Sequence, residues 1–78
     1  MKHELKIKPE YFYAVRDGVK TFELRKDDRN YQVEDTLVLK EWDNGYTGSA
    51  ICKTVSYILR GCPEYGLTDG FCILGLKP

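Results

Sequence analysis

Three charged side chains lie close together in the segment GVKTFELR, residues 18–25: Lys20, Glu23 and Arg25. Side chains two residues apart on a β-strand point to the same face, so Glu23 and Arg25 are expected to face one cavity. An ammonium and a planar guanidinium suit phosphate or the edge of a base, while a carboxylate accepts from an exocyclic amine or holds a cation in place. The three residue types therefore predict a site for a polar ligand.

The same three residues also fit a purely structural role. Charged side chains usually face solvent, and an exposed ion pair contributes only about 0–1 kcal/mol to stability. The spacing therefore leaves two interpretations open, a polar binding cleft and a solvated ladder of ion pairs. On spacing alone, the ladder is the favoured one.

A short helix and a glycine are expected to position this strand. Pro9 suits the first turn of a helix and Asp17-Gly18 suits its end, which predicts a helix over residues 9–17. Gly18 can adopt the positive φ with which a chain leaves a helix. The turn then brings Lys20 to the mouth of a cleft between the helix and the sheet.

Period-two alternation, β-branched residues and turns rich in Gly, Asn and Asp predict β-strands along the rest of the chain. The longest is expected to bend or change partners partway. The last is apolar on both faces, which indicates a central position in the sheet. The predicted strands cover residues 3–7, 36–42, 49–60 and 71–77, with another from residue 20 onward.

These elements predict an α+β fold. The expected architecture is a small, mostly antiparallel β-barrel of five or six strands with one helix near the N-terminus. The 78 residues suffice for a single domain, residues 1–78, near the lower size at which a hydrophobic core holds without disulfides. Closure of the sheet would also remove exposed strand edges.

Composition and charge exclude several classes of protein. Hydrophobic residues make up 42% of the chain and charged residues 31%, which is typical of globular proteins. No apolar run approaches the ~20 residues that cross a bilayer, and the N-terminal segment lacks the apolar stretch of a signal peptide. We therefore expect a cytoplasmic protein without a membrane partner. A formal net charge of zero argues against a uniformly basic, nucleic-acid-binding surface.

The cysteines predict free thiols. Cys52, Cys62 and Cys72 are odd in number and contain no C-x-x-C pair. The one histidine, His3, is expected at a frayed chain start, so the chain offers a poor set of metal ligands. We predict no disulfide, no metal site and no cofactor.

The segment G-V-K-T-F-E-L-R matches the signature G-x-K-x-x-E-x-R of ASCH domains at Gly18, Lys20, Glu23 and Arg25. ASCH domains are relatives of the PUA RNA-binding fold. In detail the chain resembles a compact ASCH-related family of uncharacterised function, common in bacteria and their phages. The resemblance favours the binding cleft over the ion-pair ladder. It extends over the whole chain, with further similar segments at residues 36–42, 57–61 and 70–76.

The resemblance implies a non-catalytic module that binds RNA or a modified nucleotide in the cleft around residues 18–25. Lys26 and Arg29 are candidates for contacts with a phosphate backbone. Tyr46 and Tyr65, in glycine-containing loops, are candidates for stacking on an unpaired base, worth about 1–3 kcal/mol per base. The other aromatic residues considered, which are assigned to the core or its lid, are Tyr11, Phe12, Tyr13 and Trp42.

Two other functional classes stay open. Some ASCH proteins are amidohydrolases acting on acylated cytidine that use the signature lysine, a threonine and a glutamate. In this chain Lys20 matches the lysine, Glu23 stands in the threonine's place, and no partner glutamate can be assigned between Glu41 and Glu64. A lysine nucleophile or base must also lose its proton, which a neighbouring Glu23 opposes. The third class is a phage or host module that binds another protein through an exposed strand or loop.

The chain departs from the expected pattern at two positions. Glu34 lies in the turn V-E-D-T where a glycine is usual, and a non-glycine residue at positive φ is disfavoured. Ser49 follows Y-T-G where a basic residue is expected, which removes a cation from the expected binding edge. Both departures weaken the case for tight nucleic-acid binding.

Overall fold

Five β-strands and one α-helix follow one another along the chain in the computed structural model, which describes all 78 residues. They confirm the predicted α+β class, and the helix matches its predicted bounds within one residue. The elements are β1 (Lys2–Ile7), α1 (Pro9–Arg16), β2 (Phe22–Lys26), β3 (Thr36–Trp42), β4 (Tyr46–Leu59) and β5 (Phe71–Lys77), with a short 3-10 turn at Pro63–Tyr65 between β4 and β5.

The strands form one sheet in the order β1-β3-β4-β5-β2. Three of the four pairings are antiparallel, as expected. The fourth is not, because β1 runs parallel to β3, with Lys2 opposite Thr36 and Ile7 opposite Glu41. Alternation within a strand does not reveal the direction of its neighbour, so the residue pattern could not predict this pairing.

The predicted closed barrel is wrong, since the sheet curls into a half-barrel that stays open between its edge strands β1 and β2. We call this gap the seam. Two arginine side chains cross it where backbone hydrogen bonds are missing. Arg25 Nη2 donates to the main-chain oxygen of Lys6 at 2.8 Å, and Arg29 Nη1 donates to that of Glu4 at 2.9 Å. Arginine side chains, rather than backbone hydrogen bonds, therefore connect β1 and β2 across the seam. The gap between the two strands leaves space for clefts.

The long strand β4 joins the two halves of the sheet. Its first part pairs with β3 up to Thr54, and its second part pairs with β5 from Thr54 to Leu59. The pairing with β5 shifts register between Val55 and Tyr57, as a β-bulge does. The change of partner expected from the strand's length is confirmed.

The hydrophobic core lies between α1 and the inner face of the sheet. The helix inserts Phe12 and Val15, which are 4% and 1% exposed. They pack in one cluster with buried residues of β1, β3, β4 and β5. Lys8 precedes the helix without a side-chain cap, as its residue type predicts. Neither α1 nor the 3-10 turn has the length and apolarity of a membrane-spanning helix.

His3 does not lie at a frayed chain start, which corrects the expectation. It is buried in β1, where its Nε2 is 2.8 Å from Asp35 Oδ2 and its ring packs edge-on against Tyr31. Asp35 also accepts from the amino group of Met1 at 2.9 Å and from the main-chain N–H of Gln32 at 3.0 Å. The hydrogen bond from the amino group, followed by that of His3, holds the pKa of Asp35 well below its ordinary value of 3.8.

Candidate functional site

A cleft of about 460 Å³ opens in the seam, between the end of β1, the start of α1 and β2. We call it the main cleft. Its volume lies within the roughly 300–1,000 Å³ of typical small-molecule sites. The charged residues that line it are Lys6, Lys8, Lys20, Glu23 and Arg25.

The carboxylate of Glu23 is the centre of this group and is 3% exposed. Its Oε1 accepts a hydrogen bond from Lys20 Nζ. Its Oε2 accepts from Arg25 Nε at 2.9 Å and lies 2.8 Å from Arg25 Nη2. The three side chains therefore converge on one cleft, and the burial of Glu23 excludes a fully solvated ladder of ion pairs. Their role in binding a ligand stays a prediction.

The end of α1 explains why Lys20 reaches this cleft. The helix closes with a Schellman motif, in which Val19 N–H donates to Ala14 O at 3.0 Å and Gly18 N–H donates to Val15 O at 3.1 Å. Gly18 has φ +75°, as predicted. Lys20 N–H then donates to the same Ala14 oxygen at 2.9 Å, which fixes the chain as it turns toward β2. Gly18 itself does not line the cleft, so its role is to shape the turn.

Strand β2 has its polar face inward and its apolar face outward. Glu23 is buried, whereas its neighbours Phe22 and Leu24 are 46% and 56% exposed. Burying a carboxylate is costly unless cations and hydrogen bonds compensate it, and here Lys20 and Arg25 do so. The inward direction of Glu23 thus depends on both cations.

Both cations keep hydrogen-bonding capacity after binding Glu23. Lys20 Nζ donates to Glu23 and to the main-chain oxygen of Phe22 at 2.7 Å, which leaves one of its three N–H groups. Arg25 Nη1 makes no hydrogen bond within the chain. Glu23, by contrast, has both oxygens engaged. The group can therefore offer donors to a ligand, while Glu23 holds the two cations in place.

Sequence reasoning missed six residues that line the main cleft, and four of them are charged or aromatic. Lys6 and Lys8 come from β1 and its end, and Tyr11 and Phe22 contribute rings whose centroids lie 5.4 and 5.0 Å from Lys20 Nζ. Lys6 Nζ lies 3.9 Å from the ring centroid of Trp42. The position of β1 across the seam brings Lys6 and Lys8 to β2, and no local pattern signals that position.

The other predicted site residues do not line the main cleft. Lys26 and Arg29 line a smaller cleft of about 210 Å³ in the seam, which we call the side cleft. Tyr46 packs edge-on against Trp42, with ring centroids 4.9 Å apart. Tyr65 lies in the 3-10 turn and is 88% exposed. Neither tyrosine lines the main cleft, although the ring centroid of Tyr46 lies 5.9 Å from Nζ of Lys6, which does.

Both departures from the expected pattern lie outside the main cleft. Glu34 has φ +75°, so the expected strain of a non-glycine residue is present. Its carboxylate accepts from Lys77 Nζ at 2.6 Å. Ser49 is exposed on β4. The cation that Ser49 lacks would therefore not have been part of the lining of the main cleft.

Another buried carboxylate, besides Glu23 and Asp35, lies apart from this group. Glu41 is 4% exposed and accepts from Thr47 Oγ1 at 2.7 Å. No cationic group lies within ion-pair distance of it, and no hydrogen bond joins Lys20 to either residue. The hydrogen bond between exposed Thr47 and buried Glu41 is thus not assembled with the signature lysine.

Comparison with known proteins gives two matches. The family model described as "Domain of unknown function (DUF3850)" matches residues 2–76. The chain is also similar to the "Uncharacterized 12.9 kDa protein in GpA 3'region" of Escherichia phage P2, with 48% identity over 50 residues. That match covers 63% of this chain and 46% of the phage protein, so it spans about half the length of the relative. The match to the family model extends over nearly the whole chain, and the chain belongs to the DUF3850 family.

Proposed function

We propose that this protein is a non-catalytic module that binds RNA or a modified nucleotide in the main cleft. The observation that carries the proposal is the buried carboxylate of Glu23, which pairs with both Lys20 and Arg25 and holds them side by side with unused N–H groups. Paired cationic donors of this kind suit phosphate oxygens or the acceptor edge of a base.

The charge of the main cleft supports an anionic ligand. Four cationic residues and one carboxylate line it, and Glu23, the carboxylate, is already paired twice. The whole chain has a formal net charge of zero. The positive charge of the cleft is therefore a local feature, which steers an anion to this part of the surface.

Two half-exposed rings support a ligand that carries a base. Tyr11 and Phe22 are each 46% exposed and line the main cleft beside Lys20. Stacking of a base on an aromatic side chain is worth about 1–3 kcal/mol. A nucleotide combines the anionic group and the planar ring that this lining suits.

A relationship to ASCH domains is part of this proposal. The signature lies between the helix and a strand, as the resemblance implies: Gly18 is in the turn at positive φ that follows α1, and Glu23 and Arg25 are in β2. The curled sheet with one helix is compatible with a compact PUA-like domain. We regard the buried cluster of the signature side chains as the physical basis of the resemblance.

The amidohydrolase alternative has less support. Its lysine would act with a threonine and a glutamate, yet Lys20 donates to Glu23 and Phe22 O, while Thr47 and Glu41 pair with each other. Incubation with an acylated cytidine tests it directly. Turnover that disappears in Lys20→Ala would contradict the non-catalytic proposal.

An exposed apolar row favours protein binding as a second candidate function. Leu24, Ile73 and Leu59 lie opposite one another on the outer faces of β2, β5 and β4, and Leu24 and Leu59 are 56% and 40% exposed. Adjacent apolar side chains at the surface often mark a protein contact. Loss of a co-purifying protein in Leu59→Lys, with RNA binding retained, would assign this role to the row, because Leu59 does not line the main cleft.

Fluorescence anisotropy with a labelled single-stranded RNA tests the main proposal. Lys8→Glu reverses a charge in the main cleft, and Lys53→Glu makes the same change outside it; neither lysine has an ion-pair partner. We expect Lys8→Glu to weaken binding about tenfold, and affinity to fall with salt, as phosphate contacts require. Equal effects of the two variants, or binding that salt does not weaken, would refute the proposal.

A further inference from the structure

The side cleft continues the main cleft along the seam. It is lined by Leu5 of β1 on one side and by residues from Arg25 to Tyr31 on the other. Arg25 is the one residue that lines both clefts. The two clefts therefore meet at Arg25, which also bridges the seam to the main-chain oxygen of Lys6.

The side cleft adds cationic groups that the fold leaves available. Lys26 is exposed and forms no ion pair. Arg29 uses Nη1 to reach the main-chain oxygen of Glu4, and its other nitrogens make no hydrogen bond within the chain. Asp28 is the only carboxylate in the lining. The charge of the side cleft thus has the same sign as that of the main cleft.

The two clefts concentrate the positive charge of the chain in the seam. Six of the twelve basic residues line them, but only two of the twelve acidic residues, Glu23 and Asp28. The remainder of the chain is consequently acidic overall. A polyanion is attracted to the seam and repelled elsewhere, and a ligand with several phosphates in a row gains more from this distribution than a ligand with one.

We infer that the ligand is a single-stranded oligonucleotide whose backbone follows the seam through both clefts, with Arg25 between neighbouring phosphates. This inference rests on the proposed function and narrows it from a nucleotide to a strand. An unpaired strand can turn a base toward Tyr11 and Phe22, whereas the bases of a duplex are stacked inside. Lys26 and Arg29 then contact the strand beyond the nucleotide held in the main cleft.

The dependence of affinity on ligand length tests this inference. Adenosine monophosphate, a tetranucleotide and an octanucleotide of adenosine, and an RNA duplex compete with a labelled single strand for the intact protein. We expect the tetranucleotide to bind at least tenfold more tightly than the monophosphate. The logarithmic salt slope should steepen by about 0.7 for each additional phosphate contacted. The duplex should compete more weakly than the single strands.

Variants of the side cleft separate this inference from the proposed function. Lys26→Glu should remove most of the affinity gained with length, while Lys26→Arg retains it and Lys53→Glu serves as the control of equal charge. A tetranucleotide that binds no better than the monophosphate, or a duplex that binds as well as a single strand, would overturn the inference and leave nucleotide binding standing. Absence of binding by every ligand would overturn both.

Discussion

Arg25 and Lys6 connect two strands that share no backbone hydrogen bond, through a contact of 2.8 Å from Arg25 Nη2 to the main-chain oxygen of Lys6. The same guanidinium binds both the buried Glu23 and, across the seam, β1. Arg25 also lines both clefts. One side chain thus closes the half-barrel and shapes the site, so changes at Arg25 must affect folding as well as binding.

Replacement of Arg25 should destabilise the protein far more than replacement of an exposed arginine. In Arg25→Ala, Glu23 stays buried with one cation fewer, and we expect a loss of about 2 kcal/mol in the free energy of unfolding. Arg16→Ala removes an exposed pair with Asp17 and should cost less than about 0.5 kcal/mol. Urea unfolding measures both, and equal losses would show that Arg25 does not support the seam.

Backbone strain at Glu34 predicts that glycine at this position gives a more stable protein than alanine does. At φ +75° a residue with a Cβ is strained and glycine is not, so Glu34→Gly should be about 1 kcal/mol more stable than Glu34→Ala. Both variants lose the exposed pair with Lys77, so this loss cancels in the comparison. If thermal unfolding shows Glu34→Ala to be the more stable variant, the strained turn is not present in solution.

The lowered pKa of Asp35 predicts a loss of stability in acid. Because this pKa is lower in the folded chain than its ordinary 3.8, the carboxylate contributes stability above that value and loses it as the pH falls through the folded pKa. The free energy of unfolding should therefore decrease below about pH 4. Asp35→Asn should be less stable at neutral pH and should lack this part of the decrease. An unchanged acid profile in the variant would contradict the assignment.

The cysteines should differ in their reaction with a thiol reagent. Cys52 is exposed and should react in the folded protein. Cys72 is fully buried, and burial raises the pKa of its thiol, so it should react only as the protein unfolds. Stopped-flow measurement with Ellman's reagent on Cys52→Ser and Cys72→Ser assigns the phases. A fast phase that persists in Cys52→Ser and disappears in Cys72→Ser would contradict the buried position of β5.

Local patterns predict most of the elements but not their arrangement. The position of α1 follows from Pro9 and Gly18, and the change of partner in β4 follows from its length. The parallel pairing of β1 and β3 and the open seam depend on contacts between distant segments. The burial of His3 also depends on a distant segment, because its partner Asp35 lies 32 residues away in the sequence. The sequence shows only that His3 is near the start of the chain, which is why a frayed residue is expected there.

Spacing likewise predicts the site only in part. It places Glu23 and Arg25 on one face of β2, but it does not show which face is inside. Polarity suggests that charged residues face outward. Glu23 faces inward instead, because Lys20 and Arg25 neutralise its carboxylate. The sequence predicts loops at Tyr46 and Tyr65, whereas the structure places Tyr46 at the start of β4, and a loop position does not indicate how far a residue lies from the cleft. Tyr11 of α1, which the sequence assigns to the core or its lid, lines the main cleft.

Titration of isotope-labelled protein with a single-stranded oligonucleotide, followed by amide NMR shifts, tests the central claim most directly. We predict progressive shifts at residues of both clefts and no shift at Tyr65, which lines neither cleft. Lys8→Glu should reduce the shifts and Lys53→Glu should not. Shifts confined to β4 and the 3-10 turn, or no shifts at saturating oligonucleotide, would contradict the claim that the seam binds a nucleic acid strand. The residues expected to shift include Lys6, Lys8, Lys20, Phe22, Arg25 and Lys26.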